Sequence, residues 1–338
     1  MPRSIRWDGV CKYLADFAPG IPKWTLEDMP DLTGKISIVT GGNAGIGYEI
    51  VKALVAKHAK VYLTSRSTAN GEAAVRKLRD EVKDADVHVL EINLADMSSV
   101  QRAASAFQSN EGQLHILINN AGVMSPPVDQ VTAQGYDLQF GTNVLGHYYF
   151  THLLLPTLKS TSSSLSAADP IGVRIVELAS DAHFLSAFTG GEVIKLETLK
   201  DGDARRAVGT TQLYMQSKSG NILVAAARAR RMTELGINIF TASVNPGRIE
   251  SNLQRHAPAI AQMLTKPMLH PTKMGALTPL YAATSTEALE YNGKYFGPWA
   301  RPKGPRIDHE GNVEAEDSII AWLEEQILEF ETSNGIST

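Results

Sequence analysis

The sequence predicts a doubly wound parallel α/β sheet of about seven strands, with helices on both faces in three α/β/α layers. Three observations lead there. From about Lys35 to Phe296, short β-branched runs alternate with longer helical stretches. Most of the runs are almost continuously apolar, as expected of parallel strands covered on both faces. The stretches between them are long enough for the right-handed crossovers that join parallel neighbours.

The expected strands are Ile36–Thr40, Lys60–Ser65, Val87–Asn93, Ile116–Asn119, Val173–Ser180, Ile237–Val244 and a short piece near Gly293–Phe296. Helical patterns follow at Tyr48–His58 and about Thr211–Glu234. Residues 159–172, with the run Ser162-Ser163-Ser164, read as a flexible polar loop. Near the C-terminus, Ile319, Ile320, Leu323, Ile327 and Phe330 recur at helical spacing over about Asp317–Phe330. That stripe suits core packing first and a subunit contact second.

The chain has 338 residues, for which length alone suggests about two domains. No composition break divides the alternating region, so one domain is expected over residues 31–300. An N-terminal extension (1–30) precedes it and a tail (301–338) with the amphipathic helix follows. Lys+Arg is 32 against Asp+Glu 36, a formal charge of −4, which excludes the basic footprint of a dedicated nucleic-acid binder. With 43% hydrophobic and 20% charged residues, the chain is that of a globular protein. Cys11 is the single cysteine, so no internal disulfide can form and a reducing, cytoplasmic setting is expected. No apolar run is long enough to span a bilayer. The stripe Trp7, Val10, Leu14 and Phe17 leaves two roles open for residues 5–17, peripheral membrane contact or self-packing and a homodimer contact; the net charge of +1 over residues 1–20 is modest for the former. The nine histidines show no metal-ligand spacing, so no metal is expected.

The first chemical motif is Thr40-Gly41-Gly42-Asn43-Ala44-Gly45-Ile46-Gly47, between a strand and a helix. Glycines there let backbone N–H groups approach a pyrophosphate, and the helix N-terminus adds a positive dipole. This is the Rossmann-type context for a dinucleotide. The next strand ends in Ser65-Arg66, where a NAD-type site would carry a carboxylate on the ribose. A guanidinium can pair with a 2′-phosphate that a carboxylate would repel, so Arg66 favours NADP(H).

Thr40-Gly-x-x-x-Gly-Ile-Gly47, Asn119-Asn120-Ala121-Gly122 and Tyr214-x-x-x-Lys218, in that order, resemble the short-chain dehydrogenase/reductase family over about residues 32–300. Finer features are similar to its retinol-dehydrogenase-like and WW-domain-oxidoreductase-like branch, fungal members included: Ala121–Met124, Thr142–His147, Ser180–His183, Asn245-Pro246-Gly247 and Gly293–Phe296. The resemblance implies an oxidoreductase that interconverts a carbonyl and an alcohol. Tyr214 would exchange the proton with the substrate oxygen, Ser180 would hydrogen-bond that oxygen, and Lys218 would hold the nicotinamide ribose. Asn143 would complete the tetrad through a water. Tyr214 and Lys218, four apart on a helix, share a face, and a neighbouring ammonium is expected to lower the phenol's pKa. The resemblance implies cofactor contacts from Gly41, Asn43, Ala44, Gly45, Ile46, Gly47, Arg66, Asn93, Leu94, Asn120, Ala121, Gly122, Tyr214, Lys218, Pro246, Gly247, Ile249 and Ser251.

Three departures stand out. Asn93 replaces the family's Asp near the adenine, and Ala179-Ser180 replaces its serine pair. The Ser180-to-Tyr214 gap is long, and the insertions at about 181–213 and 248–273 are expected to wall the pocket. Leu253, Ile260, Met263, Leu264 and Met268 in the second make a bulky apolar carbonyl substrate the expectation. His147 and His183 read as packing residues. Two other classes remain open: a cofactor-binding scaffold without turnover, and a nucleotide-sugar epimerase or dehydratase on the same fold. The first has no use for Tyr214 and Lys218; the second carries a different glycine spacing and a larger C-terminal part.

Overall fold

In each central strand, successive side chains enter opposite cores, as the two-residue period of a strand requires. Ile38, Leu117 and Ile175 face one core, while Val39, Ile116, Ile118 and Val176 face the other. All are fully buried, which is why these runs carry no polar alternation. The computed structural model describes residues 3–17, 19–166, 169–188, 192–250 and 269–336.

The strands are β1 (Ile36–Val39), β2 (Lys60–Ser65), β3 (Val87–Glu91), β4 (Ile116–Asn119), β5 (Val173–Leu178), β6 (Ile239–Val244), β7 (Tyr295–Gly297) and β8 (Arg301–Lys303). The helices are α1 (Arg3–Ala15), α2 (Gly45–Ala56), α3 (Thr68–Glu81), α4 (Met97–Asn110), α5 (Leu138–Phe140), α6 (Gly146–Ser164), α7 (Asp203–Val208), α8 (Thr210–Glu234), α9 (Thr272–Gly275), α10 (Leu277–Thr284) and α11 (Val313–Ser333). The sheet order is β3-β2-β1-β4-β5-β6-β7-β8. Seven strands run parallel, and β8 turns back antiparallel on β7. Chain order reverses between β1 and β4, which opens a crevice at the carboxyl ends of the strands. One core lies under α2, α3 and α10. The other lies under α4, α6 and α8 and extends to α11, whose Ile319, Ile320, Leu323, Ile327 and Phe330 are all buried.

One sequence expectation is extended and one is corrected. To the about seven strands expected the sheet adds a short antiparallel one in the tail, Arg301-Pro302-Lys303, where an edge strand tolerates a proline because one side of it needs no ladder donor. The run Ser162-Ser163-Ser164 is the last turn of α6 and not loop. Tertiary hydrogen bonds override its weak helix propensity: Ser162 Oγ donates to the Asn238 carbonyl at 2.7 Å, and Thr161 Oγ1 accepts from the Leu114 N–H at 2.9 Å.

Candidate active site

The glycine turn between β1 and α2 is shaped by what cannot fit. A Cβ on Gly47 would run into the Gly41 carbonyl and come within 2.6 Å of Asn120 Nδ2. Gly41 holds φ +65, and a Cβ there would come within 3.1 Å of Ala121 Cβ. Gly45, at φ +57, has nothing within 4 Å of the position a Cβ would take, so the front of the turn is an open cradle. Asn43 and the exposed Ala44 form its tip. Ala44 caps α2 without any side-chain hydrogen bond, which leaves the first N–H groups of the helix for a ligand. This cradle fits the pyrophosphate of a dinucleotide.

Around it, Thr40 Oγ1 accepts from the N–H groups of Asn120 (2.8 Å) and Ala121 (2.9 Å), and Asn120 Nδ2 donates to the Thr40 carbonyl (2.7 Å). The Gly41 N–H donates to Thr64 Oγ1 at 3.0 Å, tying the turn to β2, whose end Arg66 follows as an exposed side chain. Ile46 and Ile249 are buried, and both close on Gly275, where a Cβ would come within 3.0 Å and 2.8 Å of their Cγ1 atoms. Their side chains therefore fasten the turn after β6 to the cradle. Leu94 is buried in the core under α6, and Asn93 Oδ1 accepts from the Ala95 N–H at 3.2 Å, which shapes the loop after β3.

The catalytic candidates gather across the crevice. Lys218 is buried on α8, and its Nζ donates to the Leu178 carbonyl (2.7 Å) and to Asn221 Oδ1 (3.4 Å). Burial lowers its pKa to about 8, with the nearby Glu177 carboxylate acting the other way. Asn143 sits in a wide helical turn, Gly141–Leu145, whose loosened pitch frees its carbonyl oxygen. That oxygen accepts from Asn221 Nδ2 (2.8 Å) and from His147 Nδ1 (3.0 Å). A carbonyl only accepts, so His147 carries its proton on Nδ1, and Nε2 accepts from the Thr40 hydroxyl at 2.8 Å. Burial keeps His147 neutral, with a pKa near 4. A polar chain thus runs Lys218–Asn221–Asn143–His147–Thr40 into the glycine turn. The Asn143 side chain brackets the loop after β4, with Oδ1 on the Val123 N–H (2.8 Å) and Nδ2 on its carbonyl (3.0 Å). A Cβ on Gly122 would lie 3.2 Å from Asn143 Oδ1 and 3.9 Å from Lys218 Nζ, so this glycine floors the crevice.

Ser180 follows β5 and caps the turn Asp181–Leu185, accepting from the Ala182 N–H (3.2 Å) and donating to Asp181 Oδ1 (3.1 Å). Tyr214 on α8 is half-buried. Its phenol pKa lies above the usual value because burial disfavours the phenolate; a hydrogen bond with Ser180 pulls it down and the Asp181 charge pushes it up. The expected depression by Lys218 is therefore not what the chain alone displays: Nζ is committed to Leu178 and Asn221 and stands 5.8 Å from the ring centroid.

Pro246 and Gly247 are half-buried, with Gly247 at φ +85 and its N–H on Asn245 Oδ1 at 3.0 Å. Ser251, Leu253, Ile260, Met263, Leu264 and Met268 lie outside the described residues, as do Gly190 and Gly191 of the first insertion. The described part of that insertion folds over α5: Arg205 is fully buried and pairs with Asp137 (3.5 Å) and Asp201 (2.9 Å). His183 is buried as well, its Nδ1 donating to the Ser180 carbonyl at 2.6 Å. Among the described residues no group of three or more His, Cys, Asp or Glu side chains could hold a metal ion, and no helix is long and apolar enough to cross a membrane.

Sequence reasoning missed Asn221, although Lys218-x-x-Asn221 is a one-turn spacing that puts both on one helix face. It also missed Asp16 and Arg248, for which no local signal exists.

A family model described as short chain dehydrogenase matches residues 35–190. A short-chain dehydrogenase/reductase of Armillaria gallica is 45% identical over 318 residues, covering 94% of this chain and 98% of that protein. The chain belongs to the short-chain dehydrogenase/reductase family. As a member of it, the protein is an oxidoreductase. Retinol dehydrogenase 12 of Bos taurus is 34% identical over 293 residues, 85% of each chain. A crystal structure of a putative uncharacterized protein from Mycobacterium paratuberculosis shares 27% identity with a TM-score of 0.66, covering 90% of this chain and 96% of that one.

Proposed function

We propose that this short-chain dehydrogenase/reductase interconverts a bulky apolar aldehyde or ketone and its alcohol with NADP(H). The observation that carries the reading is that Asn143 and Lys218 meet at Gly122, with Tyr214 one helical turn before Lys218 and Ser180 two residues past the Leu178 carbonyl that Lys218 holds, across one crevice from an open glycine cradle. Gly41, Gly45, Gly47 and the first turn of α2 would hold the pyrophosphate, and Lys218 and Gly122 the nicotinamide end. When bound, the dinucleotide supplies or accepts a hydride. The protein itself handles the proton, which Tyr214 gives to the substrate oxygen in reduction and takes in oxidation. Ser180 holds that oxygen beside the phenol. Lys218, with a pKa near 8 and a polar chain behind it through Asn221 to the Asn143 carbonyl, is poised to resupply a proton near neutral pH.

Arg66, exposed after β2, supports a 2′-phosphate and so NADP(H) over NAD(H). The apolar content of the 248–273 insertion supports a bulky apolar substrate.

The test is cofactor consumption against a panel of apolar aldehydes and ketones, comparing NADPH, NADH and Tyr214→Phe. Turnover is expected to prefer NADPH and to fall by roughly 10²–10⁴-fold in the Phe variant, with cofactor binding retained. Wild-type turnover in that variant would defeat the mechanism. Arg66→Asp is expected to shift preference towards NADH, and an unchanged preference would remove Arg66 from the account.

A further inference from the structure

The carboxyl edge of the sheet carries a second polar cluster, beside the catalytic serine. Helix α1 lies against the Asp181–Leu185 turn so closely that a Cβ on Gly9 would run into the Phe184 carbonyl. From the end of α1, buried Asp16 accepts from Lys303 Nζ of β8 (2.6 Å) and from Asn245 Nδ2 (3.1 Å), which also holds the Pro246-Gly247 turn. Arg248 is gripped between the rings of Phe17 (3.4 Å to the centroid) and Tyr13 (4.8 Å). Its Nη2 reaches Asp181 Oδ2 at 3.6 Å. Among the described residues, that oxygen accepts no hydrogen bond and Arg248 Nε donates none. Asp181 is thus held next to Ser180 by an ion pair longer than a hydrogen bond, although its other oxygen takes the serine proton at 3.1 Å.

We propose that Asp181 is a positioning residue for the reaction: fixed by Arg248 and the N-terminal helix, it orients the Ser180 hydroxyl and opposes formation of the Tyr214 phenolate. The inference rests on the reading of Ser180 and Tyr214 given above. With its proton directed to Asp181 and one lone pair on the Ala182 N–H, Ser180 has one lone pair left to accept from a substrate alcohol, whereas donation to a carbonyl oxygen requires the hydroxyl to turn off Asp181. A negative charge one residue from that serine makes a second negative charge on Tyr214 harder to form. Helix α8, which carries Tyr214, packs against the Asp181–Leu185 turn, and the titratable groups around Asp181 are Arg248 after β6, Lys303 of β8, Tyr295 of β7, Asp16 at the end of α1 and Tyr214 itself. His183 of the same turn is kept neutral by burial. The two cations favour the Asp181 carboxylate, whereas burial and Asp16 oppose it.

The experiment compares wild type with Asp181→Asn, Asp181→Ser and Asp181→Glu in two readouts. The first is the pH dependence of oxidation of the apolar alcohol formed from a carbonyl of the panel. The second is tyrosinate absorbance of the NADP⁺-saturated protein, with Tyr214 isolated by subtracting the matching Tyr214→Phe variant. Asn and Ser remove the charge, so both the rising limb of oxidation and Tyr214 ionisation are expected to move to lower pH, by about one pH unit. Glu keeps the charge and is expected to leave them near the wild-type position. Either charge-removing variant is sufficient if the other does not fold. Unmoved readouts in the Asn or Ser variant, or a Glu variant that moves as far as they do, overturn the proposal. Activity that survives in Tyr214→Phe alone fails the parent reading instead, so the two failures are distinct.

Discussion

The two sides of the crevice are held by different physics. On the β1 side the glycine turn is fixed by backbone amides, neutral hydroxyls and the room that absent side chains leave. On the β6 side the turn after β5 and the turn after β6 are fixed by charges, buried Asp16 and half-buried Asp181, Arg248 and Lys303, drawn from four separate segments. A backbone-built site is specified by residues that are neighbours in sequence. A charge-built site is specified by the fold, because its partners meet only after the sheet has assembled.

The sharpest way to break the comparison is steric. Gly47→Ala puts a methyl into the Gly41 carbonyl, and overpacking of that kind is expected to cost about 2–3 kcal/mol, or roughly 100-fold in NADPH affinity. Gly45→Ala meets no protein atom and is expected to cost only about 1 kcal/mol of folding stability, for its left-handed backbone, while its methyl enters the space left for the pyrophosphate. Urea unfolding of the free protein separates the two variants, and equal losses of stability would mean that the turn is not defined by close approach. On the charged side the matching change is Gly9→Ala, which would push α1 off Phe184. A loss of about 1–3 kcal/mol in urea unfolding is expected, together with reduced turnover and a smaller loss of NADPH binding than in Gly47→Ala. A loss of cofactor binding as large as that of Gly47→Ala would show that the two sides act as one.

The smallest effect is nil at neutral pH and grows below it. His147 and His115 are both buried with pKa values near 4, chiefly through desolvation. Their folded values lie below the unfolded 6.5, so the unfolded chain binds protons that the native state refuses. Stability is therefore expected to fall as pH drops from about 6.5 towards 4, by up to about 1.4 kcal/mol per pH unit for each histidine. His147→Gln, measured by thermal unfolding across that window, should flatten the slope; an unchanged slope would mean that His147 is already charged in the native state.

Much of this was legible in the chain because its signals are local. The Gly41-to-Gly47 spacing announces its strand, turn and helix together, and Tyr214 and Lys218 are one helical turn apart. The sheet could be read because buried strands must be apolar on both faces. What escaped is non-local or depends on partners. Asp16 meets Lys303 across 287 positions, and neither residue carries a pattern that points to the other. The serine run 162–164 speaks for loop until Asn238 is placed beside it. Lys218 was expected to act on Tyr214 through its charge, yet its ammonium is committed to the carbonyl of Leu178, a partner that spacing along α8 could not disclose.

Strand β8 has a consequence for self-association. An open sheet invites another chain to continue its ladder wherever unpaired N–H and C=O groups line an edge. This edge offers only three residues, Arg301, Pro302 and Lys303; the proline has no N–H to give, and the lysine's ammonium is tied to the Lys12 carbonyl and to Asp16. Two copies are therefore discouraged from joining strand to strand there, and the β7 ladder stays shielded from the templated growth that leads to fibrils.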